Sequence, residues 1–444
     1  MSKVFVSIAS YRDPELVSTL KDLVIQAASP ENLHVAVCWQ NNESAEMFQQ
    51  AGMTLVKKSR LDDFEVLEYE LNQARIDVID VEHYRSQGAC WARSKAEKCY
   101  SNEDYFLQID SHCRFIKEWD HEMVALLTSL KKQSDKPVLS HYPAGYNPDN
   151  EDERFKHTHV SRIVFYKFND DKIPITYPNI HSSEQPVRSI YIAGGFIFAE
   201  GSFIKEVPND PEIFFSGEEI MMAARAFTHG YDIYTPHKIL LWHYYKRTTV
   251  KVWDDHNKEA KETGKVDLAW WERNNLSNKR LWHFFGIKED EHCQLGIYAP
   301  GNIRSLRDFE YASGISFKKR ALQPEVISKK KVNWFSCPPT DHSVWEKNLI
   351  APYNKKALIN KKYFHFGPKQ IERWHLTVLS NHNYLIDEII FTAEEVKQKL
   401  ESAVNDNLEF DIEFNIYPDT TPETIRIIPF FLDATWGEAV EIKW

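Results

Sequence analysis

At the start of the chain, apolar runs typical of buried strands alternate with a segment whose apolar residues have helical spacing. The apolar run Lys3–Ala9 predicts a buried strand, and Leu33–Trp39 predicts a second one. Between them, Glu15–Ala28 places leucines and valines at helical spacing, and Ser29-Pro30 ends the segment. A strand, a helix and a second strand in so short a stretch predict a parallel pair joined by a right-handed crossover.

The same pattern continues further along the chain. Two segments, Gln87–Tyr100 and Gly217–His229, have helical periodicity. Three segments read as strands: Tyr105–Ile109, Ser189–Ala199 with a Gly194-Gly195 interruption, and Lys238–Trp242. The alternation predicts an α/β fold with a parallel sheet.

Two stretches depart from this pattern. Residues 140–188 are polar, rich in Pro, Asn and Asp, and too long for a simple connection, so we expect a functional loop or excursion there. Residues 246–318 are mixed and polar.

The composition changes near Lys319, where the basic run Lys329-Lys330-Lys331 precedes short aromatic segments. We predict an α/β domain over residues 1–318 and a smaller, mostly β domain over residues 319–444. The latter would contain one helix at Glu394–Ala403 and strands at Val332–Phe335, Tyr363–Phe366, Phe410–Tyr417 and Ile425–Phe431.

Composition narrows the functional class. The formal net charge of −11 argues against non-specific nucleic-acid binding, which needs a basic surface. The six cysteines form no C-x-x-C pair and indicate reduced thiols. No signal peptide and no apolar stretch of membrane-spanning length are evident, so we expect a cytoplasmic protein.

The strongest chemical signal is Asp110-Ser111-His112 at the carboxyl end of the strand Tyr105–Ile109. Ligands bind at that end of open α/β sheets, and a carboxylate with an imidazole two residues on suits Mn²⁺ or a similar cation. The spacing alone is weak, because Asp254-Asp255-His256 repeats it in a polar segment without a preceding strand. We interpret that second motif as solvated and without function.

Further candidate residues follow two other predicted elements. His243 comes directly after the Lys238–Trp242 strand and is a third metal-ligand candidate, although a core histidine would look the same. Glu218 and Glu219 open a predicted helix, where acidic residues also occur simply as partners of the helix dipole.

Basic residues near these positions could bind a phosphate-bearing ligand. Arg93 lies in a predicted helix, and Lys246 and Arg247 follow His243 closely. Arginine gives bidentate contacts to phosphate. A solvated surface is the alternative for each of the three residues.

Taken together, the motifs of residues 3–318 resemble the polypeptide α-N-acetylglucosaminyltransferase family, and more distantly the mucin-type polypeptide N-acetylgalactosaminyltransferases. The matching positions occur in order: Val4–Pro14, Gly88-Ala89 with Ala92-Arg93, Gln108–His112 with Arg114-Phe115, Trp119-Asp120, Ala193–Phe196, Val207-Pro208 with Asp210-Pro211, Phe215 with Gly217–Ile220, Ala224-Arg225, Gly230–Asp232, His243–Tyr245 with Arg247, and Ser313–Ile315. Residues after 318 match no family by this comparison.

The resemblance implies a GT-A fold, in which a Rossmann-like sheet binds a UDP-sugar through a divalent cation. It also implies retention of the anomeric configuration. It implies that Asp110, His112 and His243 bind Mn²⁺ or Mg²⁺. Under this interpretation Lys246 and Arg247 assist at the diphosphate, and the sugar is N-acetylglucosamine.

Other residues are assigned roles around the donor. We expect the loop Ser10, Tyr11 and Arg12 to contact uridine, while Arg93 and Gly194-Gly195 border the sugar. Glu218 or Glu219 would hydrogen-bond the sugar or the acceptor hydroxyl and act in catalysis.

Three functional alternatives follow. The chain could glycosylate a protein or glycan hydroxyl, build a surface or capsular polysaccharide from another UDP-sugar, or serve as a non-catalytic binding module on a transferase scaffold. The presence of all three metal-ligand candidates and both glutamates favours an enzyme. The C-terminal domain could bind the acceptor or mediate homo-oligomerisation.

Overall fold

The apolar run at the start of the chain becomes the strand β1 (Val4–Tyr11) in the computed structural model. The structure describes residues 2–156, 159–327, 339–364, 367, 369–403, 406–417 and 420–444. The chain divides into two units, one formed by Met1–Lys318 with Glu325–Pro338 and the other by Lys319–Pro324 with Pro339–Trp444.

The first unit contains sixteen of the described strands. After β1 they are β2 (Leu33–Asn41), β3 (Thr54–Leu61), β4 (Phe64–Leu71), β5 (Ala74–Glu82), β6 (Tyr105–Asp110), β7 (Cys113–Phe115), β8 (Pro137–Leu139), β9 (Ala144–Gly145), β10 (Val160–Phe168), β11 (Pro174–His181), β12 (Val187–Arg188), β13 (Phe196–Glu200), β14 (Asp232–Thr235), β15 (Leu241–His243) and β16 (Ile315–Ser316).

The α-helices of this unit lie between those strands or follow them. They are α1 (Leu16–Gln26), α2 (Glu46–Gln50), α3 (Ala89–Glu97), α4 (Trp119–Leu130), α5 (Ser202–Glu206), α6 (Glu218–Thr228), α7 (Val252–Asp255), α8 (Lys258–Glu262), α9 (Trp270–Phe284) and α10 (Leu306–Ser313).

A ten-stranded mixed sheet forms the centre of the first unit, in the order β12-β14-β8-β13-β6-β1-β2-β5-β4-β3. Its middle strands β6, β1, β2 and β5 are parallel. The pairing of β1 with β2 confirms the predicted parallel unit, with α1 as its crossover. Parallel strands covered on both faces need continuous apolar sequence, and β2 is buried at every position.

The crossover helix α1 shows how the sequence pattern becomes packing. Its buried residues include Leu16, Leu20 and Leu23, which recur at helical spacing and join the main core. Burial of each such leucine contributes roughly 2 kcal/mol. This burial fixes the helix against the sheet that contains β1.

The excursion at residues 140–188 is more regular than its sequence suggests. It contains β9, a 3-10 segment at Pro148–Lys156, and the antiparallel hairpin of β10 and β11. A register shift between Phe165 and Lys167 bends this hairpin.

The second unit is β-rich, as predicted. Its elements are β17 (Ala321–Leu322), α12 (His342–Lys347), β18 (Ala351–Asn360), β19 (Ile371–Ser380), β20 (Leu385–Thr392), α13 (Ala393–Ser402), β21 (Asn407–Ile416), β22 (Pro422–Phe431) and β23 (Val440–Lys443), while the helix α11 (Pro324–Ile327) spans the boundary. Strands β20, β19, β22 and β23 form one antiparallel sheet, and β18 pairs with β21.

Several predicted elements differ from the structure. The strand predicted at Ser189–Ala199 begins only at Phe196, and the strand predicted at Lys238–Trp242 is reduced to Leu241–His243. Tyr363 ends a 3-10 turn instead of starting a strand. The predicted strand Val332–Phe335 lies outside the described residues, as do residues 365 and 366.

Two further expectations can be compared with the described part of the chain. Cys38, Cys90, Cys99, Cys113 and Cys293 are free thiols, while Cys337 lies outside the described residues. Within the portion that the structure covers, none of the helices has the length and apolar character needed to cross a membrane.

Candidate active site

Short strands at the carboxyl edge of the central sheet bring the predicted metal ligands together. Asp110 is the last residue of β6, and after a tight turn β7 begins at Cys113. Strand β15 pairs with β7 so that His243 lies opposite Cys113. This register places His243 beside the Asp110–His112 turn, although more than a hundred residues separate them in sequence.

Asp110, His112 and His243 form a cluster whose potential ligand atoms all lie within 4.8 Å of one another. His243 Nε2 is 3.1 Å from Asp110 Oδ2, and the two imidazole ring centres are 4.5 Å apart. The set of one carboxylate and two imidazoles fits a divalent transition-metal cation such as Mn²⁺.

Electrostatics keep these groups in the forms that bind a cation. Burial alone would raise the pKa of Asp110, but the hydrogen bond from His243 and the charge of Arg93 lower it well below its usual range. Burial lowers the pKa of His243, which favours the neutral imidazole. An ionised carboxylate and a neutral imidazole are the protonation states that metal binding requires.

Behind the cluster, the buried carboxylate of Asp13 orders three neighbouring side chains. Asp13 Oδ2 accepts hydrogen bonds from Ser111 Oγ at 2.6 Å and Arg247 Nη1 at 2.8 Å, and lies 2.7 Å from His112 Nδ1. Burial would raise the pKa of Asp13, but the hydrogen bond from His112 and the nearby charges lower it. When His112 Nδ1 donates to Asp13, its Nε2 is left unprotonated and available to a cation.

Arg93 joins the cluster to the glutamates of α6. Its side chain is buried, with Nη2 3.0 Å from Asp110 Oδ1 and Nη1 2.5 Å from Glu218 Oε1. Cys90 Sγ donates to the other oxygen of Glu218 at 2.9 Å. Burial disfavours the charged guanidinium, but the two carboxylates raise the pKa of Arg93 and keep it protonated. Arg93 therefore sets the distance between Asp110 and Glu218.

Glu219 has a different environment from its neighbour Glu218. One oxygen of Glu219 accepts from the Gly194 backbone N–H at 2.8 Å, and the other accepts from the Tyr142 hydroxyl. Burial, with a contribution from the charge of Glu218, raises the pKa of Glu219 to about 7. This carboxyl can therefore gain or release a proton near neutral pH, a property typical of active-site acids and bases.

The pair Gly194-Gly195 is required by close approach of two acidic side chains. A Cβ atom on Gly194 would lie 2.1 Å from Glu218 Oε1, and one on Gly195 would lie 2.8 Å from Asp110 Oδ2. Both distances are shorter than non-bonded atoms tolerate. The two glycines allow the backbone that precedes β13 to pass between the metal-ligand cluster and α6.

These residues line a cavity of about 360 Å³, here called the edge cavity. It is lined by the three metal-ligand candidates, by Glu218, Glu219, Arg93 and Gly195, and by Tyr11, Gln40, Ser86, Phe215, Arg247, Lys251 and Trp253 among others. Phe215 and Trp253 pack edge to face with their ring centres 5.7 Å apart. The cavity thus combines fixed positive charge, two aromatic walls and a metal-ligand set.

The carboxyl end of β1 reaches this cavity through its last residue, Tyr11. The Tyr11 hydroxyl and Arg12 Nη1 both donate to Asp255, with Tyr11 Oη 2.8 Å from Oδ2. The interpretation of Asp254-Asp255-His256 as solvated was therefore wrong. The Asp255 side chain is mostly buried. His256 is fully buried, and its Nε2 lies 3.0 Å from the His83 carbonyl oxygen.

Four of the predicted binding residues are absent from the lining of the edge cavity: Ser10, Arg12, Gly194 and Lys246. Gly194 instead donates its backbone N–H to Glu219. The Ser10 side chain is buried within β1, and Ser10 is not among the residues that line the edge cavity. Lys246 is exposed and also lies outside that lining. Arg12 binds Asp255 and holds the Tyr11 loop to α7 instead of facing the cavity. Of the predicted cations, Arg93 and Arg247 are the ones that line it.

Several site residues were not predicted from the sequence. Asp13, Tyr142 and Lys251 belong to this group, as do Phe215 and Trp253. Asp13 follows the first strand directly, so its position at the carboxyl edge was a usable signal. Tyr142 and Trp253 lie in polar stretches without periodicity, and only the tertiary structure brings them to the site.

Comparison with protein families agrees with this geometry. The model of the family described as "Glycosyltransferase (GlcNAc)" matches residues 3–318. Together with the sheet and its parallel centre, this match confirms the predicted GT-A class of fold, with a β-rich C-terminal region in addition. No curated protein sequence matches the chain.

Solved structures that resemble the chain are distant. GalNAc-T7 with UDP, GalNAc and Mn²⁺ has a TM-score of 0.40 at 14% identity, covering 70% of this chain and 54% of its own. TarS of S. aureus, residues 1–349 with UDP-GlcNAc, has a TM-score of 0.33 at 14% identity, covering 64% and 73%. The mannosyltransferase PcManGT from Pyrobaculum calidifontis, with GDP-Man and Mn²⁺, has a TM-score of 0.34 at 10% identity, covering 56% and 58%.

Proposed function

Because the chain belongs to the GlcNAc glycosyltransferase family, we propose that it transfers N-acetylglucosamine from UDP-N-acetylglucosamine to an acceptor hydroxyl on a protein or glycan. A divalent cation, Mn²⁺ or Mg²⁺, would be held by Asp110, His112 and His243. The observation that carries the proposal is this three-residue cluster in the wall of the edge cavity, at the edge where α/β sheets bind ligands.

The charges around the cavity suit a nucleotide diphosphate. When bound, the cation supplies Lewis acidity and neutralises charge that develops on the leaving UDP. Arg247 and Lys251 add positive charge to the cavity lining, and Asp13 holds Arg247 in place through the 2.8 Å ion pair. Such preorganised charges stabilise a transition state more than mobile ones do.

Of the three residues expected to contact uridine, Ser10, Tyr11 and Arg12, Tyr11 is the one that we assign to it. It lines the edge cavity while its hydroxyl is fixed by Asp255. Gln40, another lining residue, is itself oriented by Ser86 Oγ, which donates to Gln40 Oε1 at 2.6 Å. An aromatic ring and an oriented amide are suited to a base that is flat and has several hydrogen-bonding atoms.

The transfer step exchanges one bond at the sugar for another. The bond from sugar C1 to the diphosphate oxygen breaks and its electron pair leaves with UDP, while a bond from C1 to the acceptor oxygen forms. The acceptor proton passes to a carboxylate or to the departing phosphate. Arg93 and Cys90 hold Glu218 in the cavity lining, and we assign it a position beside the sugar. We assign retention of configuration to this step, as the family resemblance implies.

A donor panel tests the proposal. Release of UDP from UDP-N-acetylglucosamine, UDP-N-acetylgalactosamine and UDP-glucose is measured with Mn²⁺ and after chelation. The proposal requires Mn²⁺-dependent release that is fastest with UDP-N-acetylglucosamine and is lost in Asp110→Ala and His243→Ala. His382→Ala, an exposed substitution in the second unit, is the matched control.

Different failures of this assay have different meanings. Faster hydrolysis of another UDP-sugar would overturn the sugar assignment alone. Full activity of both Asp110→Ala and His243→Ala would overturn the metal assignment. Absence of hydrolysis with every donor would favour the non-catalytic alternative.

A further inference from the structure

A second cavity of about 260 Å³, here called the hairpin cavity, lies beside the edge cavity. Its lining comes from β11, through Pro174, Ile175 and Thr176, and from the start of α6. The two cavities share Phe215, Glu218 and Glu219. The two glutamates of the proposed active site therefore face a second compartment that the donor-binding residues do not occupy.

A chain of hydrogen bonds connects the hairpin to the shared carboxylate. Thr176 Oγ1 lies 2.9 Å from the Tyr142 hydroxyl, which in turn donates to Glu219 Oε2. Thr176, Tyr142 and Glu219 all line the hairpin cavity. The hairpin is therefore part of the site that holds Glu219 and is not an independent surface feature.

The charges in the hairpin cavity select against an anionic ligand. Among the described residues that line it there is no Lys, Arg or His, and the only carboxylic acids there are Glu218 and Glu219. An anionic ligand would therefore find no cation in this lining to pair with, and ionised glutamates would repel its phosphate or carboxylate group. The edge cavity, in contrast, contains Arg247 and Lys251.

The remaining lining is mostly apolar. Ile175, Ile192 and Ile220 provide aliphatic surface, with Pro174, Tyr191 and Phe215 around them. A polyhydroxylated ring buried here would leave several hydroxyls without hydrogen-bond partners, and each such loss is costly. An apolar group that carries one hydroxyl loses little water and can direct that hydroxyl to the glutamates.

We infer that the hairpin cavity is the acceptor site and that it takes a hydroxyl carried by an uncharged, apolar group. The inference rests on the proposed glycosyl transfer for the identity of the reaction, while the selectivity follows from the cavity lining alone. The acceptor's apolar body lies against Ile175 and Ile192, and its hydroxyl faces the carboxylates that border the donor.

The test uses three small alcohols as probes: para-hydroxymethyl benzamide, which is neutral, para-hydroxymethyl benzoate, which is anionic, and methyl glucoside, a polyol. Binding of each to the full-length protein is measured by calorimetry with Mn²⁺ and UDP present. Transfer from UDP-N-acetylglucosamine to each probe is measured separately by mass spectrometry. The neutral probe should bind at least about tenfold more tightly than either of the others.

Two hairpin substitutions form a matched pair. Ile175→Lys places a cation in the cavity lining, whereas Ile180→Lys changes an exposed residue of the same strand that lies outside it. Ile175→Lys should weaken binding of the neutral probe by about tenfold and strengthen binding of the benzoate. Ile180→Lys should behave as the unchanged protein does, and UDP affinity should stay within about twofold in both.

The possible outcomes separate this inference from the proposed function. Tighter binding of methyl glucoside or benzoate by the unchanged protein, or equal probe binding in Ile175→Lys and Ile180→Lys, would overturn the assignment of the hairpin cavity. Selective probe binding with neither donor hydrolysis nor transfer to any probe would support the cavity's selectivity and overturn the proposed transfer reaction instead.

Discussion

At the scale of single residues, one carboxylate organises much of the site. Asp13 is fully shielded from solvent and contacts Ser111, His112 and Arg247 with a single oxygen, while its other oxygen accepts from the Glu15 backbone N–H at 3.0 Å. It therefore connects the start of α1 to a metal-ligand candidate and to a cation of the cavity. Residues of this kind fix the tautomer and orientation of a histidine ligand.

Asp13→Ala should weaken Mn²⁺ binding by about 10- to 100-fold, because His112 loses the partner that orients it. The measurement is a titration of Mn²⁺ followed by electron paramagnetic resonance. Asp411→Ala, an exposed change on β21, is the control. Unchanged Mn²⁺ affinity in folded Asp13→Ala would show that His112 does not depend on Asp13.

Gly195→Ala should also abolish tight Mn²⁺ binding, because its Cβ atom would lie 2.8 Å from Asp110 Oδ2 and displace that carboxylate. Gly145→Ala is the comparison, since the nearest atom to its Cβ would be Tyr245 Cδ2 at an ordinary 3.7 Å. We expect at least about a tenfold larger loss of affinity in Gly195→Ala than in Gly145→Ala. Equal affinities would contradict the close packing of Gly195 on Asp110.

At the scale of elements, the sequence was most informative where apolar periodicity was strong. The segments that became β1, α1 and β2 were predicted within a few residues of their ends, because leucine and valine spacing followed one period at a time. The pair β3 and β4 was missed since β3 is largely exposed and its charged residues, such as Lys57 and Lys58, hide any alternation. The hairpin of β10 and β11 was missed because residues 140–188 are polar and show no clear alternation of apolar positions.

The candidate site, too, could be predicted only where a local sequence pattern marked its residues. Asp110 and His112 could be predicted because a buried strand directly precedes them. Their convergence with His243 depends on the pairing of β15 with β7, which no local pattern encodes. Asp255 was misinterpreted because burial of a polar segment depends on tertiary contacts, here with Tyr11 and Arg12.

A second buried cluster, remote in sequence from the site residues, ties elements of the sheet together. His34 of β2 lies between two carboxylates, with Nε2 2.9 Å from Asp77 Oδ2 on β5 and Nδ1 2.5 Å from Glu103 Oε1 before β6. Burial alone would lower the pKa of His34, but the hydrogen bonds with Asp77 and Glu103 raise it. The same contacts lower the pKa of Asp77 and of Glu103 against the opposing effect of burial.

This cluster predicts a pH dependence of stability. Because the pKa of His34 is raised in the folded state, its stabilising contribution is complete below the unfolded value and is lost as pH rises through the folded value. The free energy of unfolding should therefore fall as pH rises above about 6.5, the ordinary histidine pKa, in the unchanged protein, and this component of the fall should be absent in His34→Gln. Urea denaturation at several pH values measures it, and identical pH profiles would contradict the assignment.

At the scale of the whole molecule, the described residues that line the edge cavity run from Ala9 to Trp253 and belong to the first unit. The second unit has its own antiparallel sheet and a helix, α13, with a capping box between Thr392 and Glu395. We propose that the second unit binds the molecule that bears the acceptor hydroxyl or mediates homo-oligomerisation.

Removal of residues 319–444 should leave Mn²⁺-dependent UDP binding within about threefold of the full chain, because every described residue that lines the edge cavity precedes that range. The truncated protein is first checked for a cooperative thermal transition. Selective loss of transfer with retained UDP binding would assign the second unit to acceptor recognition. Loss of UDP binding from a folded truncated protein would contradict the independence of the edge cavity.

The central claim is that Asp110, His112 and His243 hold a cation through which a UDP-sugar is bound. Calorimetric titration of the full-length protein with UDP, with Mn²⁺ and with a chelator, tests it most directly. The account predicts UDP binding that weakens by at least about 100-fold without Mn²⁺, and equally weak binding in Asp110→Ala and His243→Ala. UDP affinity that is the same with and without Mn²⁺, or that survives in both variants, would contradict it.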